Sequence, residues 1–329
     1  MQNYQVLNKD SLQLATGVFA GVSSYTAYPG GELEGIKLTE RNMLLTHAGE
    51  LTPAFTETHR RKPKHSVGFF KNGMVKSVAL EDVHEITTPL GEFPAELVTF
   101  YDSGELKRFF PQDGKISGLW TEEEERSLAI PLTFELPFAR FTAVISGVCL
   151  YRDGSLRSLT LFPGETVEIA APSGTVTARR GFSLYSSGAL YSLEPDAPSE
   201  VPTPLGVLLA YDSNSVGINA DVCSLKFDKQ GRVASLVTVS HKIAVQTADG
   251  GLLTFAPRDR VNPLDGESMV TYGMTLSFDY DGDTVTIDDG DASGTFARAD
   301  CGFTVLKHNA SACGPADCAN CSVDSDCRK

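Results

Sequence analysis

An aromatic residue followed three positions later by glycine, with an aliphatic residue two positions beyond, recurs along this chain. It occurs as Tyr28-Pro29-Gly30-Gly31-Glu32-Leu33, Phe70-Lys71-Asn72-Gly73-Met74-Val75, Tyr101-Asp102-Ser103-Gly104-Glu105-Leu106, Tyr151-Arg152-Asp153-Gly154-Ser155-Leu156 and Tyr185-Ser186-Ser187-Gly188-Ala189-Leu190. A variant, Phe227-Asp228-Lys229-Gln230-Gly231-Arg232-Val233, carries one additional residue. A tight hairpin loop built from a type I turn plus a left-handed residue needs a turn former before glycine, and Asn72, Ser103, Asp153 and Ser187 supply it. Pro29 suits the first turn position because its φ is fixed. Gly31, Gly73, Gly104, Gly154, Gly188 and Gly231 are therefore expected at left-handed turn positions, with the flanking residues facing each other as cross-strand pairs.

Between these hairpins lies a second, weaker signal. Thr88-Pro89-Leu90-Gly91 is echoed by Thr203-Pro204-Leu205-Gly206, and more loosely around Gly49, Gly174 and Gly250-Gly251. A full unit is then two hairpins, or four strands. The intervals between successive glycines of the first motif are 42, 31, 50, 34 and 43 residues, a length that suits four-stranded repeats. Pro and Gly interrupt nearly every window of helical length, the exception being the insert Thr121–Pro131 with four consecutive Glu. In Leu97–Tyr101 and Phe141–Ile145 apolar residues fall on both strand faces, so some strands are covered on both sides. The expected fold is all-β: an array of about six double-hairpin repeats, either a rolled hairpin array or a propeller-like arrangement, with a Cys-rich C-terminal tail.

The stretch Phe100–Trp120 resembles the MORN-type repeats and the related bacterial antitoxin-like hairpin repeats. The resemblance rests on Phe100, Tyr101, Gly104, Leu106 and Lys107, then on Gly114, Lys115, Gly118 and Trp120, which match a second Gly-Lys turn with an aromatic. It implies an antiparallel hairpin array acting as a scaffold or binding surface for another protein, without catalytic residues.

Composition narrows the function classes. With 329 residues and 41% hydrophobic content the chain can bury a large core. A net charge of -14 argues against binding nucleic acid or an anionic membrane. The basic run His59–His65 and the Glu run of the insert both read as solvated segments. The N-terminus shows no basic leader with an apolar core, and no stretch reaches the ~18 apolar residues of a membrane span, so a cytoplasmic location is the expectation. No phosphate loop, dinucleotide fingerprint or metalloprotease motif is found, and His84 and His241 read as ordinary strand histidines.

We expect a hairpin-repeat domain over residues 1–257, an acidic β segment capping it over 258–300, and a Cys-rich tail over 301–329. From Asp279 onward there are ten Asp against four basic residues. Asp279, Asp281 and Asp283, two apart, could converge on calcium, but Asp281-Gly282 between apolar runs reads first as a hairpin turn. Of seven cysteines, Cys149 and Cys223 lie in apolar runs and are expected as buried thiols. Cys313, Cys318, Cys321 and Cys327 are close enough to act as one ligand set for zinc or an iron-sulfur cluster, with Cys301 and His308 as additional candidates. Their spacing is similar to that of the first three ligands of plant-type ferredoxins. A tail of free thiols and a disulfide-linked end remain alternatives. Two functions follow: a non-catalytic scaffold that binds another protein, or a metal protein acting in redox or cluster transfer.

Overall fold

The computed structural model describes residues 4–308 apart from 9, 15, 62–63, 118–119, 216–218 and 263–264. Among the described residues the fold is all-β and antiparallel, with one short helix, Glu122–Ser127. Among the described residues no sheet closes into a barrel or a propeller. The chain divides into two compact units. One comprises the described residues of Met1–Val167, Arg179–Leu190 and Ile218–Val222; the other comprises those of Glu168–Ala178, Tyr191–Gly217 and Cys223–Lys329.

In the first unit the strands pair in chain order, from Val22–Ala27 through Leu33–Leu38, Val67–Phe69, Val75–Thr88, Gly91–Phe100, Leu106–Phe110, Ile145–Leu150 and Leu156–Leu161 to the end of Gly174–Leu184. The register is set by two rows of side chains. Ile36, Val67, Val78, Val98, Phe109, Val148, Leu159 and Phe182 are neighbours across successive strands, and each is fully buried. Each such aliphatic side chain contributes about 1.5–3 kcal/mol on burial. One residue along, on the opposite face, runs a row of small or polar residues: Gly35, Gly68, Ser77, Thr99, Arg108, Cys149, Ser158 and Ser183. A slip of one residue would exchange the two rows, so the pattern admits one register. The second unit repeats the scheme, with Ser192 beside Lys226 and then Ser235, Ser277, Thr286 and Thr295 in one row. Leu236, Leu276 and Ile287 form its buried counterpart.

The turns that join these strands share one geometry. In each of the five regular copies the aromatic residue's carbonyl accepts from the glycine N–H, and its own N–H donates to the carbonyl after the glycine, at 2.8–3.0 Å. The six glycines have φ between 78° and 105°. In the sixth copy Asp228 occupies the aromatic's place and Phe227 belongs to the strand before it, so the apparent additional residue is absent from the turn. Neighbouring hairpins are tied through tyrosine hydroxyls: Tyr28 donates to the Phe69 carbonyl, Tyr101 to Leu150 and Tyr151 to Leu184, at 2.7–2.9 Å. Each bond reaches the residue just before the next turn.

The second hairpins close differently. Thr46, Thr88 and Thr203 face Gly49, Gly91 and Gly206, and each threonine hydroxyl donates to the glycine carbonyl while accepting from the N–H two residues on. In the first unit the hairpin Leu132–Leu136/Ala139–Ala143 adds a chain of ring contacts, with Phe134 on Phe93 at 5.5 Å, Phe93 on Phe109 at 5.2 Å and Phe141 on Phe182 at 6.2 Å. On the opposite face Asp221 accepts from Arg108 and Ser158, and the Ala220 N–H donates to Thr160, so these strands are buried on both faces.

Two glycines of the same turn class should respond differently to alanine. At Gly188, φ is +83° and nothing lies within 4 Å of an added Cβ; at Gly154, φ is +82° and the Cβ would sit 2.4 Å from Pro89 Cγ. We expect Gly188→Ala to lose about 1 kcal/mol from backbone strain alone, and Gly154→Ala about 2–3 kcal/mol because the proline must also shift. Urea unfolding of the two variants checks this, and equal losses would contradict it.

A buried arginine–carboxylate clasp and the hollow beside it

The densest group of charged side chains lies in the first unit, where sequence reading expects solvated chain. Arg60 makes two bidentate pairs. Its Nη1 and Nη2 donate to Glu96 at 2.7 and 2.8 Å, and its Nε and Nη2 donate to Glu125 at 2.8 and 2.7 Å. Both carboxylates are buried, Glu96 at 4% exposure and Glu125 at 3%. The basic run is thus no solvated linker, and the Glu run is a helical turn that buries one member. Thr121 and Glu124 form a capping box that starts the helix and leaves Glu125 on its inner side.

The remaining lone pairs of the carboxylates are filled. Trp120 Nε1 donates to Glu125 at 2.6 Å and the Gly114 N–H at 3.0 Å, while the Asp113 N–H donates to Glu96 at 2.7 Å. A Cβ at Gly114 would lie 1.9 Å from Glu125 Oε2, so only glycine admits the carboxylate there. Gly114 and Lys115 pair with Arg61 and Arg60 instead of forming a hairpin turn of their own. Gly118 lies outside the described residues.

Burial pushes the Glu125 carboxyl up, but the hydrogen bonds from Arg60 and Trp120 and the charge of Arg60 outweigh it and hold it below its ordinary value of 4.5. A carboxyl depressed on folding contributes stability that is present above its unfolded pKa and is lost as pH falls through the folded value. Asp113 acts in the opposite sense, since burial raises its carboxyl despite the Lys64 charge. With Glu81 and Asp221 also depressed, the net expectation is a melting temperature that falls as pH drops below about 4.5. A melting temperature unchanged between about pH 6 and pH 3 would contradict the role given to these carboxylates.

The clasp sits behind a wide bulge. Ala95 pairs with His84 and Leu97 with Ala79, so Leu80–Val83 all lie opposite Glu96. Arg61 donates to the Leu80 carbonyl inside this bulge and pairs with Glu96 at 3.4 Å. The Glu81 carboxylate takes the N–H groups of Phe55 and Thr56 at 2.7 and 3.1 Å. The bulge is thereby fixed, and its outer wall borders an open hollow of about 670 Å³ reaching Arg41, Met43 and Glu50. Paired and hydrogen-bonded throughout, the clasp can hold three chain segments together, and the hollow can receive a ligand.

No family model, curated protein or solved structure matches this chain.

The other residues singled out in the sequence are dispersed. Cys149 and Cys223 are buried thiols outside any disulfide. Asp279 accepts from the N–H groups of Asp281 and Gly282 in a hairpin turn between strands Met274–Asp279 and Thr284–Asp288, and Asp283 pairs with Arg298. Among the described residues no group of three or more His, Cys, Asp or Glu is arranged to hold a metal ion. His241 is buried in a strand, and His84 lines the hollow. Among the described residues no helix is long and apolar enough to cross a membrane.

Cys313, Cys318, Cys321 and Cys327 lie outside the described residues. Cys301 and His308 flank the extended strand Gly302–Lys307, which separates them by roughly 20 Å, so at most one of the two can join a shared ion. If the four cysteines form a ligand set, anaerobically purified protein carries zinc or iron, and Cys318→Ser with Cys321→Ser removes it. Metal-free protein under those conditions would end the expectation.

Proposed function

We propose that this chain is a non-catalytic scaffold, an array of about six double-hairpin repeats that binds another protein through its hairpin tips. The observation that carries this reading is a set of exposed side chains beside hairpin tips. Leu45, Leu90 and Val207 lie at or next to the tips closed by Gly49, Gly91 and Gly206, Leu252 lies just after the loop closed by Thr247 and Gly250, and all four are exposed. Large aliphatic side chains left in water beside several hairpin tips favour a protein partner over bulk solvent. The repeated positions themselves serve the sheet: glycine in the turn, a buried apolar residue five positions later and a small or polar residue between.

The test compares immobilised full chain with a variant carrying serine at Leu45, Leu90, Val207 and Leu252, by quantitative mass spectrometry of bound proteins and then calorimetry with the purified candidate. The scaffold reading expects a protein that binds the natural chain and is lost by the variant, with the variant's circular dichroism unchanged. Equal binding to both would refute the tips as the interface.

A further inference from the structure

We infer that the hollow between the hairpin Leu44–Thr46/Gly49–Leu51 and the bulge Leu80–Val83 is a docking site for a short segment of a partner protein, one that places an aliphatic side chain beside a lysine or arginine. The inference rests on the protein-binding reading above and narrows it to one site and one chemistry.

The apolar part of the site is exposed on both walls. Met43 is 50% exposed and Val83 53%, and Phe55 lies between them in the lining. Leu45, at 83% exposure, pairs across the hairpin with Glu50, which lines the hollow. Surface aliphatics scattered singly need no explanation, but these converge on one concavity whose size is within the range of ligand sites.

The charged part selects the partner. Glu50, Glu81 and Asp82 face the hollow against a single guanidinium, Arg41, with His84 as the other titratable group. Glu81 stays ionised, because burial is outweighed by its bonds from Thr56 and the Phe55 N–H, which hold its carboxyl below the ordinary value. An acidic hollow in a chain of net charge -14 attracts cations and repels acidic segments, which gives both on-rate and discrimination. The clasp fixes the rear of the bulge, so the wall is formed before the partner arrives and little ordering is needed on binding.

The probe is a random heptapeptide library displayed on phage and selected on immobilised full chain. Enriched peptides should place an aliphatic residue within a few positions of Lys or Arg. Synthetic versions should bind about tenfold more weakly to Leu45→Asp/Val83→Asp, and should lose their basic preference on Asp82→Lys. All three positions are exposed, and circular dichroism confirms that the variants fold. No enrichment, enrichment without basic residues, or binding that is unchanged in both variants would overturn the site. A protein captured through the other hairpin tips but indifferent to Val83→Asp would overturn this site while leaving the scaffold reading in place.

Discussion

Replacing Arg60 with alanine should destabilise the first unit by about 3–5 kcal/mol, the loss expected when a buried charge pair loses one partner. The magnitude follows from what remains. Glu96 and Glu125 would stay buried, with Arg61 at 3.4 Å as the nearest remaining cation for Glu96. Arg60→Lys should recover only part of the loss, since one ammonium cannot make two bidentate pairs. Chemical denaturation of the three proteins gives the comparison. A loss below about 1 kcal/mol for Arg60→Ala would place the clasp among solvated ion pairs. At acidic pH the difference between Arg60→Ala and the natural chain should shrink, because protonated carboxyls no longer require the cation.

Gly181→Ala should be at least as damaging locally. Its φ is +124°, and an added Cβ would lie 1.9 Å from the Leu159 carbonyl oxygen, a backbone atom in the neighbouring strand. Neither strain nor contact can be relieved by rotating a side chain, so we expect a loss of at least about 3 kcal/mol. The preceding Arg180 also has positive φ, at 60°, so two successive residues of the strand Gly174–Leu184 are held in this unfavoured region. Thermal unfolding of Gly181→Ala beside Gly188→Ala, which has open space around it, separates collision from strain. Similar melting temperatures for the two would show that the strands relax around Gly181.

The turn chemistry was legible because it is local. Positive φ at Gly104 or Gly154 is written in the residues on either side, and so are the Thr-Pro-Leu-Gly hairpins. The sixth copy was misaligned because the aromatic is dispensable at the turn's first position while glycine is not; Asp228 makes the same two backbone bonds. Thr247 and Gly250 close a further loop of this same geometry, which sequence grouped with the second hairpins. The small or polar row, reached four residues after each turn glycine at Gly35, Ser77, Arg108, Ser158, Ser192 and Ser235, was present in the sequence as a period. It is less conspicuous than the aliphatic positions because glycine, serine and arginine share no single side-chain character.

The clasp was not legible for a different reason. Like charges crowded in sequence suggest solvation, whereas Arg60 and Glu125 are 65 positions apart and meet only when the hairpins between them have formed. A basic run, an acidic run and the chain's one tryptophan beside the latter were the available clue. The hollow depends on a bulge whose four residues lie opposite one, and no local pattern announces such a bulge.

The central claim is that hairpins pair in chain order with the apolar row in register, and long-range NMR contacts test it most directly. In the full chain with labelled Ile, Leu, Val and Phe, the account predicts cross-strand contacts between hairpins at Ile36–Val67, Val78–Val98, Phe109–Val148 and Leu159–Phe182. Contacts displaced by one residue along these strands, or the absence of contacts at these four pairs, would contradict it.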